Sequence, residues 1–531
     1  MQRPRIEAAL ALLRKGETQG ARQIGAEILA QDPDEPNALQ VLGVIAWREG
    51  RMDEAREKFE RANKAAPDHP PILNSLGVIY RDLGDLPSSR AMLERAAAVQ
   101  PNFADAWHNL GTTLAALGAD ARAAFEKAIS VSPANSVALG KYAHYLEAKH
   151  ELAPAREYAD RTLSIDPKNY FALVTLINLA LRVDAADDAL SLADRALATA
   201  ELTPANRAIL LGKRARALEK LSRYAESFAA SAEANSILHT ARGEKLENLT
   251  GPRSPATLQR LEAFARSAPA SIWTDRAADR GASPVFLVGF PRSGTTMLDQ
   301  VLSTIDSVCV IEEKENIADA WMELLVSPDG LDKWRNMGPQ DAARLVSAYW
   351  RRASAHVPQG GPMVIDKLPL DTALLGIIHF LFPKAKIIFA LRDPRDVVLS
   401  CFQQMFGLNA AMVQFLDLRM AAAYYDQVMR IGMVWRERLP LEVFEVRYEN
   451  VVSDFEAEIG ALLGFLGLSW SDGLRRFHET ARKRTIRTPS ATQVIQPLYA
   501  SAVGKWRNYE RELAPVRALL DPWAKRFGYR D

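Results

Sequence analysis

A chain of 531 residues is longer than one hydrophobic core organises, so at least two domains are expected. Its 48% hydrophobic and 25% charged residues suit a soluble globular protein, and a formal net charge of +1 gives no global field toward nucleic acid or an anionic membrane. Two cysteines, Cys309 and Cys401, exclude a disulfide framework and leave too few thiols for a structural zinc site. The first residues, MQRPRIEAALALLRKGE, lack the apolar core of a secretory signal, and the longest apolar runs, such as residues 374–382, fall far short of a membrane span. A cytoplasmic location is the expectation.

The first half repeats. Pro33, Pro67, Pro101, Pro133 and Pro167 are spaced by 34, 34, 32 and 34 residues, and Gly43, Gly77 and Gly111 by 34. Ala55, Arg90 and Arg122 are expected to open second helices, with Phe59, Leu93 and Phe125 as large knobs and Ala62, Ala96 and Ala128 as close-approach positions. The unit NALQVLGVIAWREGRMDEAREKFERANKAAP resembles a tetratricopeptide repeat (TPR). Each such unit is a helical hairpin that buries its apolar face only by stacking on a neighbour. About six to seven units are expected over residues 1–240, as an all-α solenoid, with the third losing two residues in its turn. The resemblance implies a groove for a protein partner. The bland alternative is a spacer.

Residues 241–283 carry aperiodic Pro and Gly around one short helical stretch near residues 258–266, and read as a linker between the domains. From residue 284 to 531 the pattern becomes α/β with a parallel sheet. The apolar run PVFLVGF leads into PRSGTT and then a helical spacing of Met297, Leu298, Val301 and Leu302. A strand, a Gly-containing turn and a helix start present free N–H groups to an anion. Gly289-x4-Gly294-Thr295-Thr296 nearly matches the P-loop, G-x4-G-K-[ST], yet Thr295 stands where the phosphate-reaching lysine belongs, and Arg292 lies three positions earlier. No obvious magnesium partner follows, Asp366 at a strand end being the one left open. The arrangement suits one phosphate with an attached sulfonate, without metal, better than a nucleoside triphosphate. A second strand and helix, AKIIFALRDPRDVVLSCF, place Arg392 at the strand end and Ser400 two turns into the helix, a fork and a hydroxyl able to grip one phosphate.

The PRSGTT loop resembles the 5′-phosphosulfate loop of sulfotransferases that use 3′-phosphoadenosine-5′-phosphosulfate (PAPS), in the arginine form of the tyrosylprotein and bacterial TPR-linked branch. That resemblance implies a P-loop-like sulfotransferase fold, with Arg292, Ser293, Gly294, Thr295 and Thr296 on the cofactor. R-D-P-R-D-x3-S resembles the 3′-phosphate site, which implies Arg392 and Ser400 there. Arg447-Tyr448-Glu449 resembles a segment whose tyrosine, here Tyr448, lies near the cofactor, and residues 490–506 resemble the segment folding over it, with Ser490 and Lys505 as contacts. The product would be adenosine 3′,5′-bisphosphate (PAP).

Sulfonate transfer needs a base, an in-line hold on the sulfonate and neutralisation of the departing phosphate oxygen. Arg292 suits the last task, and Lys367, after the strand MVID, is a second cation; cytosolic relatives have a catalytic histidine in the similar K-x-H-L-P segment. The base is then expected to be a carboxylate, its pKa raised by burial or a like neighbour. Glu313 is the first candidate, by counting from Arg292 along the resembling branch, and Glu312 the second. That branch has an arginine two residues beyond its base, where this chain has Glu315, which argues against tyrosine in an acidic peptide. The acceptor stands open between a peptide or protein tyrosine docked by the repeats, a glycan and a small molecule. The competing class is a TPR interaction protein with a degenerate nucleotide sensor; a kinase is disfavoured by Thr295. His356, His379 and His478 read as structural, and Tyr424, Tyr425 and Trp435 as core. The sequence does not indicate an oligomeric state.

Overall fold

Each repeat hairpin turns where its first helix ends in a left-handed residue. In the computed structural model Gly16, Gly50, Gly84 and Gly118 hold φ of 83°, 77°, 88° and 76°, and His150 and Asp184 take the same conformation at 63° and 57°. The structure describes residues 2–198, 202–243, 246, 250–269, 272, 283–358, 362–479 and 502–530. Two compact units divide it, Met1–Ala200 and Glu201–Asp531. The first holds six hairpins, from Gln2–Lys15 with Thr18–Leu29 to Tyr170–Arg182 with Ala186–Leu197.

The 34-residue glycines have a packing reason. A Cβ on Gly43 would stand 2.6 Å from the Phe59 ring, one on Gly77 would stand 2.4 Å from Leu93, and one on Gly111 would stand 3.0 Å from Phe125. Glycine thus lets the first helix lie directly on the second helix's knob. The second helices open at Met52, Leu86 and Arg122, so Ala55 and Arg90 lie within the first turn or just beyond it. The loss in the third unit falls on the helix and not on the turn. Arg122–Val131 has 10 residues against 14 in Met52–Ala65 and Leu86–Val99, while Gly118 keeps the turn. Asp120 Oδ1 accepts from Arg122 N at 3.1 Å and from Tyr145 Oη at 2.9 Å just ahead of the shortened helix.

A seventh hairpin, Pro204–Lys220 with Tyr224–Leu238, belongs to the second unit and not to the solenoid as read from the sequence. Asn235 Nδ2 donates to the Phe402 carbonyl at 2.8 Å, and Phe228 stacks on Phe402 at 4.9 Å. The stretch read as a linker contains a 13-residue helix, Pro255–Ser267, whose Leu258, Leu261 and Phe264 enter the second unit's core. Ser254 caps it, Oγ accepting from Thr257 N at 3.4 Å. It is a core element of that unit.

Five parallel strands follow: β1 (Val285–Val288), β2 (Val308–Glu312), β3 (Met363–Lys367), β4 (Lys386–Leu391) and β5 (Glu442–Arg447), in the order β2-β3-β1-β4-β5. Alternate residues serve opposite faces, as a doubly covered sheet requires. Phe286, Val288 and Phe389 join the larger core with the helix Leu418–Arg438, including Tyr424, Tyr425 and Trp435. Leu287, Ile365 and Ile388 pack with the helices Thr295–Leu302 and Phe455–Leu466. The fold is the expected solenoid plus P-loop-like parallel α/β domain. The carboxyl ends of β2, β3, β4 and β5 carry or adjoin a candidate residue, and the candidate loop follows β1, which is where such sheets bind ligands.

Replacing a mid-helix glycine by alanine normally gains about 1 kcal/mol. At Gly43 the new methyl meets the buried Phe59 ring, and overpacking costs about 1–3 kcal/mol. Gly43→Ala is therefore expected to lower the urea midpoint of the repeat region. A raised midpoint would contradict this packing.

Candidate active site

The loop after β1 turns sharply because Gly289 passes against β4; a Cβ there would be 2.6 Å from the Ala390 carbonyl oxygen. Gly294, at φ 96°, caps the helix Thr295–Leu302, and its missing side chain makes room for Tyr448, 2.9 Å from the position of a Cβ. Between them Arg292 is left-handed, at φ 71°. Ser293 is buried, its Oγ accepting from Phe290 N at 3.3 Å, and Thr295 and Thr296 are buried at the helix start.

Arg292 and Ser400 meet, Arg292 Nε donating to Ser400 Oγ at 2.9 Å. Arg392 lies beside them. Its Nη1 donates to the Arg292 carbonyl at 3.1 Å, its Nη2 donates to the Ala502 carbonyl, and its guanidinium lies 4.8 Å from the Tyr448 ring centre. Arg392 is 7% exposed, and its Nε is buried without a hydrogen-bond partner. Lys505 comes to the same place. Its Nζ is 2.6 Å from Glu219 Oε2 and donates to Gln403 Oε1 at 2.8 Å. Burial lowers the Lys505 pKa, Glu219 opposes this, and Arg392 and Arg292 add to the lowering. Three gathered cations and an orphaned guanidinium N–H suit a multiply charged anion. The chain returns here because Asp396 accepts from Gly504 N at 2.7 Å and Trp506 N at 2.8 Å. Ser490 lies outside the described residues.

On the other side, Glu313 follows β2 in a left-handed conformation, φ 49°, its N donating to the Lys367 carbonyl at 2.8 Å. Lys367 is fully buried. Its Nζ lies 3.0 Å from Glu313 Oε1, 3.4 Å from Glu312 Oε1 and 3.8 Å from Asp299 Oδ2. The sequence reading offered Lys367 as a second cation for the leaving oxygen; in the structure three carboxylates surround its ammonium. Glu313 is 40% exposed and not buried, and its like neighbour Glu312 shares the same ammonium. Non-glycine left-handed residues cost about 1–3 kcal/mol and gather at functional sites.

A cavity of about 720 Å³ opens here, lined by Arg292, Thr295, Thr296 and Glu313, while Lys367 and Glu312 are not in its wall. Asp366 faces away, accepting from Asn316 Nδ2 and Tyr349 Oη, each at 3.0 Å. Among the described residues no cluster of His, Cys, Asp and Glu could hold a metal ion. None of His356, His379 and His478 lines the cavity.

Sequence reasoning missed Arg253. Its Nη1 donates to Glu315 Oε1 at 2.8 Å and its Nε to Asp371 Oδ1 at 3.2 Å. Burial pulls the Arg253 pKa down, but the two carboxylates more than offset it, and the net shift is upward. Partners 62 and 118 residues away leave no local signal, and Arg253 stood in a stretch read as linker.

Residues 284–472 match the model of the sulfotransferase family, and residues 6–70 and 46–117 match tetratricopeptide repeat models. The second part is a sulfotransferase-family domain, preceded by TPRs. An uncharacterized protein of Aquifex aeolicus is 31% identical over 251 residues, 46% of this chain and 33% of that protein. Protein-tyrosine sulfotransferase 2 of Gallus gallus is 27% identical over 263 residues, 46% of this chain and 69% of its own. Omega-hydroxy-beta-dihydromenaquinone-9 sulfotransferase Stf3 of Mycobacterium tuberculosis is 27% identical over 150 residues, 27% of this chain and 36% of its own. The chain thus spans about a third of the length of the first of these relatives. Within the sulfotransferase-family match lie Arg292, Glu313, Lys367, Arg392, Ser400 and Tyr448; Arg253 and Lys505 fall outside it. Among the described residues no helix is long and apolar enough to cross a membrane.

Burial raises the Asp366 pKa to about 7, the Asn316 and Tyr349 hydrogen bonds opposing and Asp371 adding. The folded chain therefore keeps a proton that an unfolded aspartate, near ~3.9, has released. Stability contributed by this group falls as pH rises from about 4 to about 7. Asp366→Asn keeps an acceptor oxygen and removes the titration. Its urea midpoint relative to the parent should climb between about pH 5 and 7.5. A constant difference would contradict the assignment.

Proposed function

We propose that this protein is a PAPS-dependent sulfotransferase acting on a hydroxyl acceptor. The carrying observation is that Arg292 and Glu313 line one cavity, while Arg292 is joined through Ser400 and Arg392 to a second cluster of cations. In this reading Arg392, with Lys505 nearby and Tyr448 beneath it, holds the 3′-phosphate. The N–H groups of the loop through Ser293 to Thr296 hold the 5′-phosphate, and Ser490 remains a proposed contact. No metal is needed, because cations of the chain carry the charge.

Glu313 is the proposed base and Lys367 its positioning residue, since a buried ammonium fixes the carboxylate's orientation. Glu312 is the weaker candidate because it does not reach the cavity wall. Glu313 takes the acceptor's hydroxyl proton as the acceptor oxygen bonds to sulfur. The bond from sulfur to the 5′-phosphate oxygen breaks, Arg292 meets the charge on that oxygen, and Glu313 returns its proton to water. The products are a sulfate ester and PAP.

The first acceptor class is a peptide or protein tyrosine, supported by the likeness to a protein-tyrosine sulfotransferase, with the repeats docking the protein that bears it. The second is a small apolar hydroxyl compound, favoured by the cavity wall of Trp321, Met322, Phe406 and Met412. A cytoplasmic location, which the sparse cysteine content suits, completes the proposal.

Sulfur-labelled PAPS incubated with the protein and a cell lysate should give labelled sulfate esters identifiable by mass spectrometry. Glu313→Gln should keep PAP binding and lose about 10²–10⁴ of turnover. Undiminished turnover in that variant would remove Glu313 as the base.

A further inference from the structure

The cavity wall holds an ion-paired group beside its apolar lining. Arg253 is the cation there, and it is 9% exposed. Both of its terminal nitrogens donate to Glu315, at 2.8 and 3.2 Å, while Nε and Nη2 donate to Asp371. Its single positive charge is thus answered twice. Glu315 is 49% exposed on its side chain, and its other anchor is Trp321, whose Nε1 donates at 3.2 Å. An entering group therefore meets a fixed carboxylate and apolar side chains in a wall that also holds Glu313. Of the three gathered cations, Arg292 lines the same cavity, while Arg392 and Lys505 are not in its wall. Among the described residues of the cavity wall the cations are Arg253, already answered by Glu315 and Asp371, and Arg292, so a carboxylate brought up to Glu315 would meet a fixed negative charge.

We infer that the acceptor hydroxyl sits on an uncharged aryl or alkyl skeleton with no carboxylate beside it, and that Glu315, held by Arg253 and Trp321, excludes acidic acceptors. This rests on the sulfotransferase reading above. The shared chemistry has two sources, a small phenol or alcohol, or a tyrosine within a neutral apolar peptide segment.

The test uses the full chain with PAPS and three acceptors: 4-butylphenol, a tyrosine peptide with neutral apolar flanks, and the same peptide with aspartate flanks. PAP binding is followed in parallel by calorimetry. The expected result is kcat/KM higher for an uncharged acceptor than for the acidic peptide by about tenfold or more, since like-charge contacts discriminate strongly. Turnover of the phenol alone identifies a small-molecule acceptor, and turnover of the neutral peptide a protein one; either supports the inference. Glu315→Gln keeps partners for Arg253 and Trp321 and should shrink the preference severalfold, chiefly through KM for the acidic peptide, with PAP affinity unchanged. An acidic peptide used as well as or better than both uncharged acceptors would overturn the inference. So would PAP binding without transfer to either uncharged acceptor, which leaves the cofactor reading standing. No PAP binding at all would remove both.

Discussion

β1 and β4 lie side by side, Val288 opposite Phe389, so the two turns that leave them emerge as neighbours. Two hydrogen bonds then tie those turns together: Arg292 Nε to Ser400 Oγ, and Arg392 Nη1 to the Arg292 carbonyl. Both depend on Arg292 adopting a left-handed backbone, which aims its carbonyl at one arginine while its side chain reaches the far helix. Without that conformation the two strand-to-helix junctions would lose these two ties. Strand order thus fixes the spacing of the cations before any ligand arrives, and ordering costs met in folding need not be met on binding.

The acidic side is organised by the same logic with the signs reversed. A fully buried ammonium is expensive unless paired, and Lys367 is paired by Asp299, Glu312 and Glu313, which come from a helix, a strand end and the residue beyond it. The register that sets Glu312 opposite Lys367 makes this cluster a consequence of sheet pairing. Glu313 alone of the three carboxylates turns its left-handed backbone toward the cavity wall. The result is one cavity whose wall holds Arg292 of the loop after β1 and Glu313 of the β2 end.

Much of this was legible in the chain. The 34-residue glycines, the apolar strands and the RSGTT and RDPRD turns are local patterns, and a local pattern survives translation into structure. Long-range charge pairing was not legible. Arg253 finds Asp371 across 118 residues, and Glu219 finds Lys505 on a segment near the C-terminus, with no periodicity to announce either. Lys367 was read as a second cation because it ends a strand, and nothing local announced that Asp299, Glu312 and Glu313 would surround it. The seventh hairpin shows the same limit. Its repeat-like turn at Ser222, φ 58°, matches the solenoid, yet Asn235 and Phe228 pack it onto the helix Pro394–Gln403. Repeat periodicity reports how a hairpin folds and not which core it joins.

The proposed function requires the two joined junctions to recognise a nucleotide phosphorylated at both its 3′ and 5′ positions. Titration calorimetry of the purified full chain with adenosine 3′,5′-bisphosphate, beside ATP with magnesium, addresses this directly. The bisphosphate should bind without added metal, and Arg392→Ala should weaken it markedly. Preference for ATP with magnesium, or an Arg392→Ala affinity equal to the parent's, would contradict the account.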